Sequence, residues 1–237
     1  MNPIITLEQL PSLELDLQAE LDRMTEGVRM SLPRVRVEHS PSGKHKLFLD
    51  LGPRLEDEND VQEPLKGNKL SGIVIAHQHI RAIFEEGATA PLCAAVDGHP
   101  TVDNPQAGSC ASCSLSGFGS HCKPKVRLLV LAPTEKGELA LWVFPLSPTS
   151  IKQWNRYVQR LARSKVPYVA VNTRFELKDI QRPPYRYAEV VMTAERLITK
   201  FELEQVKEAR SVFDDVLGTV VKDDYSDPGD ATVEGKS

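Results

Sequence analysis

Four cysteines, Cys93, Cys110, Cys113 and Cys122, fall within thirty residues of one another, and the chain has no others. Cys110-Ala-Ser-Cys113 puts two thiols on one tight turn, the spacing with which zinc knuckles offer two thiolates to a single ion. Cys93 and Cys122 supply the two further donors of a tetrahedral site, and His99 and His121 stand close enough to replace one of the lone cysteines. A structural zinc has a task to perform there. Residues 87–122 are rich in Gly, Ser, Pro and Ala and show almost no apolar periodicity. Such a segment has no core of its own, so metal-binding energy would become folding energy. Catalytic zinc is not expected, because four thiolates close the coordination shell and no Glu adjoins the Cys-x-x-Cys pair.

Other chemistry is thin. The chain carries no phosphate-binding GxxxxGK[ST], no GxSxG, no HExxH and no GxGxxG. His77-Gln-His79 would place two imidazoles on one side of a strand, and the acidic run Glu56–Asp60 could gather a divalent cation, but each is the usual composition of a solvated surface. A binding protein rather than an enzyme is the expectation.

Charge says what it would bind. The formal net charge is −4, yet residues 121–187 carry +9 and residues 188–237 carry −6, counted from the same sequence. A basic middle followed by an acidic end suits a polyanion-binding face. Lys123, Lys125 and Arg127 lead out of the cysteine segment, and Arg156 and Arg160 share a helix face with Lys152 and Arg163. Arg174, Arg182 and Arg186 accompany Tyr168, Tyr185 and Tyr187, so cations for phosphates are interleaved with rings on which bases can stack.

The elements that must position these groups follow from periodicity. Residues 1–30 form an acidic segment with a short helix starting at Ser12, where Leu13, Leu17 and Leu21 recur every fourth position. Alternation over Arg34–Glu38 and Lys46–Asp50 predicts a hairpin. Leu55–Lys69 reads as a charged surface loop, and Leu70–Phe84 as a strand running into a turn or short helix. Val126–Ala132 and Glu138–Phe144 predict a second hairpin. Pro148-Thr-Ser150 opens a helix to about Arg163, with Ile151, Trp154, Val158 and Leu161 as its buried stripe. Strands follow at Val166–Lys178 and Tyr185–Met192. A long helix is expected from Thr193 to about Leu217, burying Ile198, Phe201, Val206, Ala209 and Phe213. The acidic tail, 221–237, is expected to be disordered.

The run Cys110-Ala-Ser-Cys113-Ser-Leu-Ser-Gly-Phe-Gly119, then Cys122-Lys123, a basic strand and the Pro148-Thr-Ser150 helix start, resembles a family of single-stranded-DNA-binding proteins from tailed phages and related mobile elements. The likeness spans about residues 90–190. Short strands interrupted by a cysteine-rich insert are also similar to the zinc-containing helix-destabilising proteins of T-even phages, which use an OB-fold. The resemblance implies an α+β fold, a β-rich OB-like barrel over residues 31–220 with a zinc insert at 87–122, one internal helix and a long C-terminal helix. It implies phage-type DNA replication or recombination, with single-stranded DNA on Lys123, Lys125, Arg127, Arg156, Arg160, Arg174, Arg182, Tyr185, Arg186 and Tyr187. The acidic C-terminal region would recruit replication or recombination proteins, or shield an empty groove. A zinc-containing adaptor that binds a host or replication protein is the alternative. No apolar run is long enough for a membrane span and the first residues lack a basic flank and an apolar stretch, so a cytoplasmic protein, in an infected bacterial host if phage-encoded, is expected.

Overall fold

The computed structural model describes residues 32–38, 44–54, 57–116, 120–134, 137, 139–183, 185–211, 220 and 224–225. The expected helix at Ser12 and most of the acidic tail lie outside them. The described elements are β1 (Arg34–Glu38), β2 (Lys46–Arg54), β3 (Asp57–Pro64), β4 (Lys69–Ile83), β5 (Cys93–Val96), β6 (His99–Pro100), β7 (Lys123–Pro133), β8 (Leu139–Leu146), α1 (Pro148–Arg163), β9 (Val171–Arg182), β10 (Tyr185–Leu197) and α2 (Lys200–Ser211). The strands make one sheet in the order β10-β9-β4-β7-β8-β1-β2-β3, with β5 added to β4 and β6 to β5. Every pairing is antiparallel except the short parallel contact of β1 with β8 at Arg34 and Val143.

β4 organises the sheet. One edge carries β9 along residues 69–73 and β5 along residues 80–83, while the other carries β7 along residues 73–82. The sheet is strongly curled into a half-barrel. The backbone N–H of His45, just before β2, donates to Asp179 Oδ1 of β9 at 3.3 Å. In a flat sheet those two strands would stand five steps, roughly 24 Å, apart. Asn68, just before β4, bonds the same region of β2: its Nδ2 donates to His45 O at 3.1 Å and its Oδ1 accepts from Leu47 N at 3.0 Å.

The curl follows from what each face must bury. The inner face gathers Val35, Leu47, Val74, Leu128, Phe144, Phe175 and Val190 around Trp154, Tyr157 and Leu161 of α1, the principal core. Ser150 Oγ accepts from Val190 N at 2.9 Å, and Thr149 Oγ1 donates to Ala188 O at 3.0 Å. The start of α1 thus satisfies backbone groups of β10, which would otherwise end the sheet unpaired. On the outer face Ile73, Ile75, Leu129 and Leu131 meet Val206 and Ala209 of α2.

Both expected hairpins and the helix at Pro148 are present. Three expectations are corrected. The charged stretch expected as a loop contains β3, which pairs with β2 at the edge of the sheet. Leu70–Phe84 does not turn, and β4 runs unbroken for 15 residues because partners take both of its edges. Thr193–Leu197 continues β10 past a bulge at Ala194/Arg196, held by pairing with residues 171–174. The described C-terminal helix is therefore only Lys200–Ser211, and Phe201, expected inside, is 70% exposed.

Candidate metal centre and basic groove

The chemistry-bearing residues are arranged along the inner face of β4. Alternation sends His77, His79, Arg81 and Ile83 to that face, and the surroundings change from aromatic core to open groove to cysteine cluster. His77 lies 5.5 Å from both Trp154 and Tyr168 between ring centroids, 5.8 Å from His79, and its Nδ1 meets Tyr168 Oη at 3.3 Å. Burial first, then the neighbouring His79, pushes the His77 pKa down, with Asp97 opposing. His77 is thus a packed aromatic neighbour of the core, and residues 57–60 of the acidic run lie on β3 at the far edge of the strand order.

Beyond His77 the face opens into a groove of about 660 Å³ between β4 and the first turns of α1. Its charged or titratable lining residues are His79, Arg81, Lys125, Lys152 and Arg156, and no carboxylate is among the lining residues. Asn155 and Gln159 add neutral polar groups. Lys152 and Arg156 are solvent-exposed, whereas Arg81 is half-buried.

At its far end β4 meets the cysteines. Cys93 begins β5 opposite Ile83. Asp97 and Gly98 both have positive φ, 47° and 86°, and turn β5 back into β6, the two-residue hairpin for which Asp-Gly is suited. Asp97 is also fixed by His79, whose N–H donates to its Oδ1 at 2.8 Å. Cys110 N donates to Gly98 O at 3.2 Å, which hangs the Cys-x-x-Cys turn from that hairpin, and Ser116 N and Oγ both donate to Cys113 O. Cys122 sits buried just before β7. All four cysteines, brought from three separate stretches, line one pocket of about 20 Å³. That volume suits a single water-sized sphere.

Among the described residues no three His, Cys, Asp or Glu side chains already stand as a metal-holding group. The donor set nevertheless fits a soft divalent ion, with four cysteines lining one small, mostly apolar pocket. Burial pushes the Cys110 and Cys122 thiols up, and the neighbouring cysteines reinforce the rise, while Arg81 pulls both down. Thiols held protonated chiefly by burial are what a cation would convert to thiolates. His99 and His121 do not line the pocket.

The residues expected to meet nucleic acid separate into three groups. Arg156 lies in the groove, and Arg160, exposed on the same helix, donates to Met192 O at 3.1 Å. Lys125 and Arg127 are each only 2% exposed, so they do not form the outward basic strand expected from the alternation. Asp224 bridges Arg127 at 2.8 Å and Arg34 at 2.6 Å, Arg127 also donates to Gln78 Oε1 at 2.6 Å, and Lys125 Nζ sits 5.2 Å from the centre of the Tyr225 ring. Lys123 is exposed, and its carbonyl accepts from Tyr225 Oη at 3.3 Å. The third group is on the β9–β10 hairpin. Arg182 and Arg186 are exposed there, Tyr187 is half-buried, and Tyr185 opposes Arg182 in register. Pairing of Lys69 with Glu176 puts this hairpin tip at the opposite end of β4 from the cysteines. Arg174 is paired with Glu195 at 3.2 Å, and Tyr168 packs on His77 and Trp154.

Comparison with protein-family models, with curated proteins and with solved structures finds no match for this chain.

Sequence reasoning missed Arg81 as a site residue. The signal was present in its two-residue spacing from His79 and His77, which puts all three on one strand face. Asp97-Gly98 between Ala94-Ala-Val96 and His99 was likewise a legible hairpin.

Proposed function

We propose that this chain binds single-stranded nucleic acid, DNA in the first instance, through the groove between β4 and α1, on an OB-like barrel stapled by a structural zinc. The observation that carries the reading is the groove's lining of Arg81, Lys152 and Arg156 with no opposing carboxylate. A concave surface of one sign attracts a phosphate chain, and binding releases the counterions condensed on it. The strand path supports the barrel. β4, β7, β8, β9 and β10 make a five-stranded path in which the first strand pairs with the second and the fourth, and a helix joins the third to the fourth. An OB barrel has this arrangement, and one of the loops through which it binds joins the first and second strands. The cysteine segment is then the loop between the first and second strands, so a zinc there would order a wall of the site. A role in phage-type replication or recombination is what the family resemblance adds.

Anisotropy of a labelled single strand of about 30 nucleotides, with matched duplex as competitor, tests the reading. Three neutralised phosphates on a single strand give a salt slope of about −2, so affinity should fall about 40-fold from about 50 to about 300 mM salt. Arg156→Gln should weaken binding of all sequences alike and flatten the slope by about 0.7. No affinity at low salt would overturn the proposal.

The exposed Leu197 and Phe201, at 66% and 70%, favour a second reading in which the α2 side contacts a protein. That reading gains if oligonucleotide binding fails while a replication protein is retained by the immobilised chain and released by Phe201→Ser.

A further inference from the structure

The cysteine pocket and the basic groove have one charged side chain in common, Arg81. It is the only charged residue among the described lining of the pocket. Its Nη1 donates to Ser116 O at 3.1 Å, which anchors the guanidinium to the chain just after the Cys-x-x-Cys turn. Arg81 lines this pocket together with Cys122 and the other three cysteines. On its other side the same residue forms part of the groove wall beside His79 and facing Lys152 and Arg156 of α1. β4 fixes this position from both edges, since Arg81 pairs with Ala95 of β5 and with Pro124 of β7.

Resting on the proposed function, we infer that Arg81 is a positioning residue shared by both sites, offsetting the charge of a zinc–thiolate centre so that it can stand beside a bound phosphate chain. Four thiolates on one divalent ion carry two net negative charges. A nucleic-acid strand laid in the groove brings further negative charge to the neighbouring wall. With no cation between them the two anions repel, and each weakens the other by the same factor, as linkage requires. A guanidinium suits the post because its planar fork can donate in two directions at once, to the Ser116 carbonyl on one side and to a phosphate on the other.

The test follows zinc and strand together in the zinc-loaded full chain. Transfer of zinc to a chromophoric chelator, without nucleic acid, should be at least about 10-fold faster in Arg81→Gln, the usual scale for losing a group that supports metal ligands. Strand affinity should fall as well. The distinguishing readout is the effect of saturating oligonucleotide on zinc release, which should be small in the wild type and a several-fold acceleration in Arg81→Gln. Arg156→Gln should lose strand affinity with zinc release unchanged. Arg81→Lys keeps the charge without the fork, should fall between wild type and Arg81→Gln, and carries the test if the glutamine variant does not fold. Wild-type zinc kinetics in Arg81→Gln, or release from that variant that oligonucleotide does not accelerate, overturns the shared role. A wild-type chain that takes up no zinc, or binds no strand, overturns the underlying function instead, and this shows before any variant is made.

Discussion

Asp224 has no exposed surface, yet it belongs to the most acidic part of the chain. Its two oxygens divide between guanidiniums, Oδ1 to Arg34 and Oδ2 to Arg127, both far from it in the sequence. A buried ion pair adds little net stability when whole, but removing one partner leaves charge in a medium that cannot solvate it. Asp224→Ala should therefore cost about 3–5 kcal/mol in urea unfolding, because it strips a counter-charge from two buried arginines. Asp224→Asn, which keeps a hydrogen-bond acceptor, should cost less. A loss below about 1 kcal/mol for the alanine variant would show that the arginines are well solvated without it. This contact explains why the sequence misled at Lys125 and Arg127. Alternation on β7 correctly places both on one face, but it carries no information about an acidic residue roughly a hundred positions away. The convergence of the four cysteines on one pocket was legible for the opposite reason, since they lie within thirty residues of one another.

At the scale of elements, local signals decided most of what could be read, and pairing overrode them where they failed. The helix pattern after Thr193 was a real apolar periodicity, but Arg196 and Leu197 pair with Asn172 and Val171, and helix formation waits until Thr199. There a capping box stops the strand and starts the helix. Glu202 N donates to Thr199 Oγ1 at 3.2 Å, and Thr199 N donates back to Glu202 Oε2 at 2.8 Å. Arg196 adds two bonds to the same carboxylate, at 2.6 and 2.8 Å. The Arg196 guanidinium, with the Thr199 backbone and hydroxyl groups, brings Glu202 from its usual 4.5 down to about 2. A lowered folded-state pKa means that the stabilisation is complete above about pH 4.5 and fades as pH falls toward 2. The stability difference between wild type and Glu202→Gln should accordingly be largest near neutrality and shrink across that window. Equal differences at pH 6 and pH 2.5 would assign the effect of the substitution to shape rather than charge. Thr199→Ala, which removes the other half of the box, should cost about 0.5–2 kcal/mol at pH 7.

For the whole molecule, periodicity found most strands, though not β3, β5 or β6, and could not order them, and the order is what makes a half-barrel. β4 and β2 approach across the curl because side chains and backbone close the gap, as Asn68 and Asp179 do, not because neighbouring sequence demands it. One residue records how tight that curl is. A Cβ at Gly72 would lie 2.8 Å from Leu131 O, from Ala132 Cβ and from Val130 Cγ1. The position sits where β4 passes from pairing with β9 to pairing with β7, so β7 presses against β4 at the transition. A methyl group there must push a backbone carbonyl, which cannot rotate away as a side chain could. Gly72→Ala should cost about 1–3 kcal/mol through overpacking, and the relief available is to open the angle between β4 and β7. Opening that angle lengthens the contacts across the curl before it touches the hairpins. Hydrogen exchange should then show the amides of His45 and Leu47, which donate to Asp179 and Asn68, losing protection first, while those of Glu189 and Val191, which face β9 within the β9–β10 hairpin, hold. Uniform loss of protection at all four would mean that Gly72 only relieves local crowding, and that the half-barrel is held closed by its core instead.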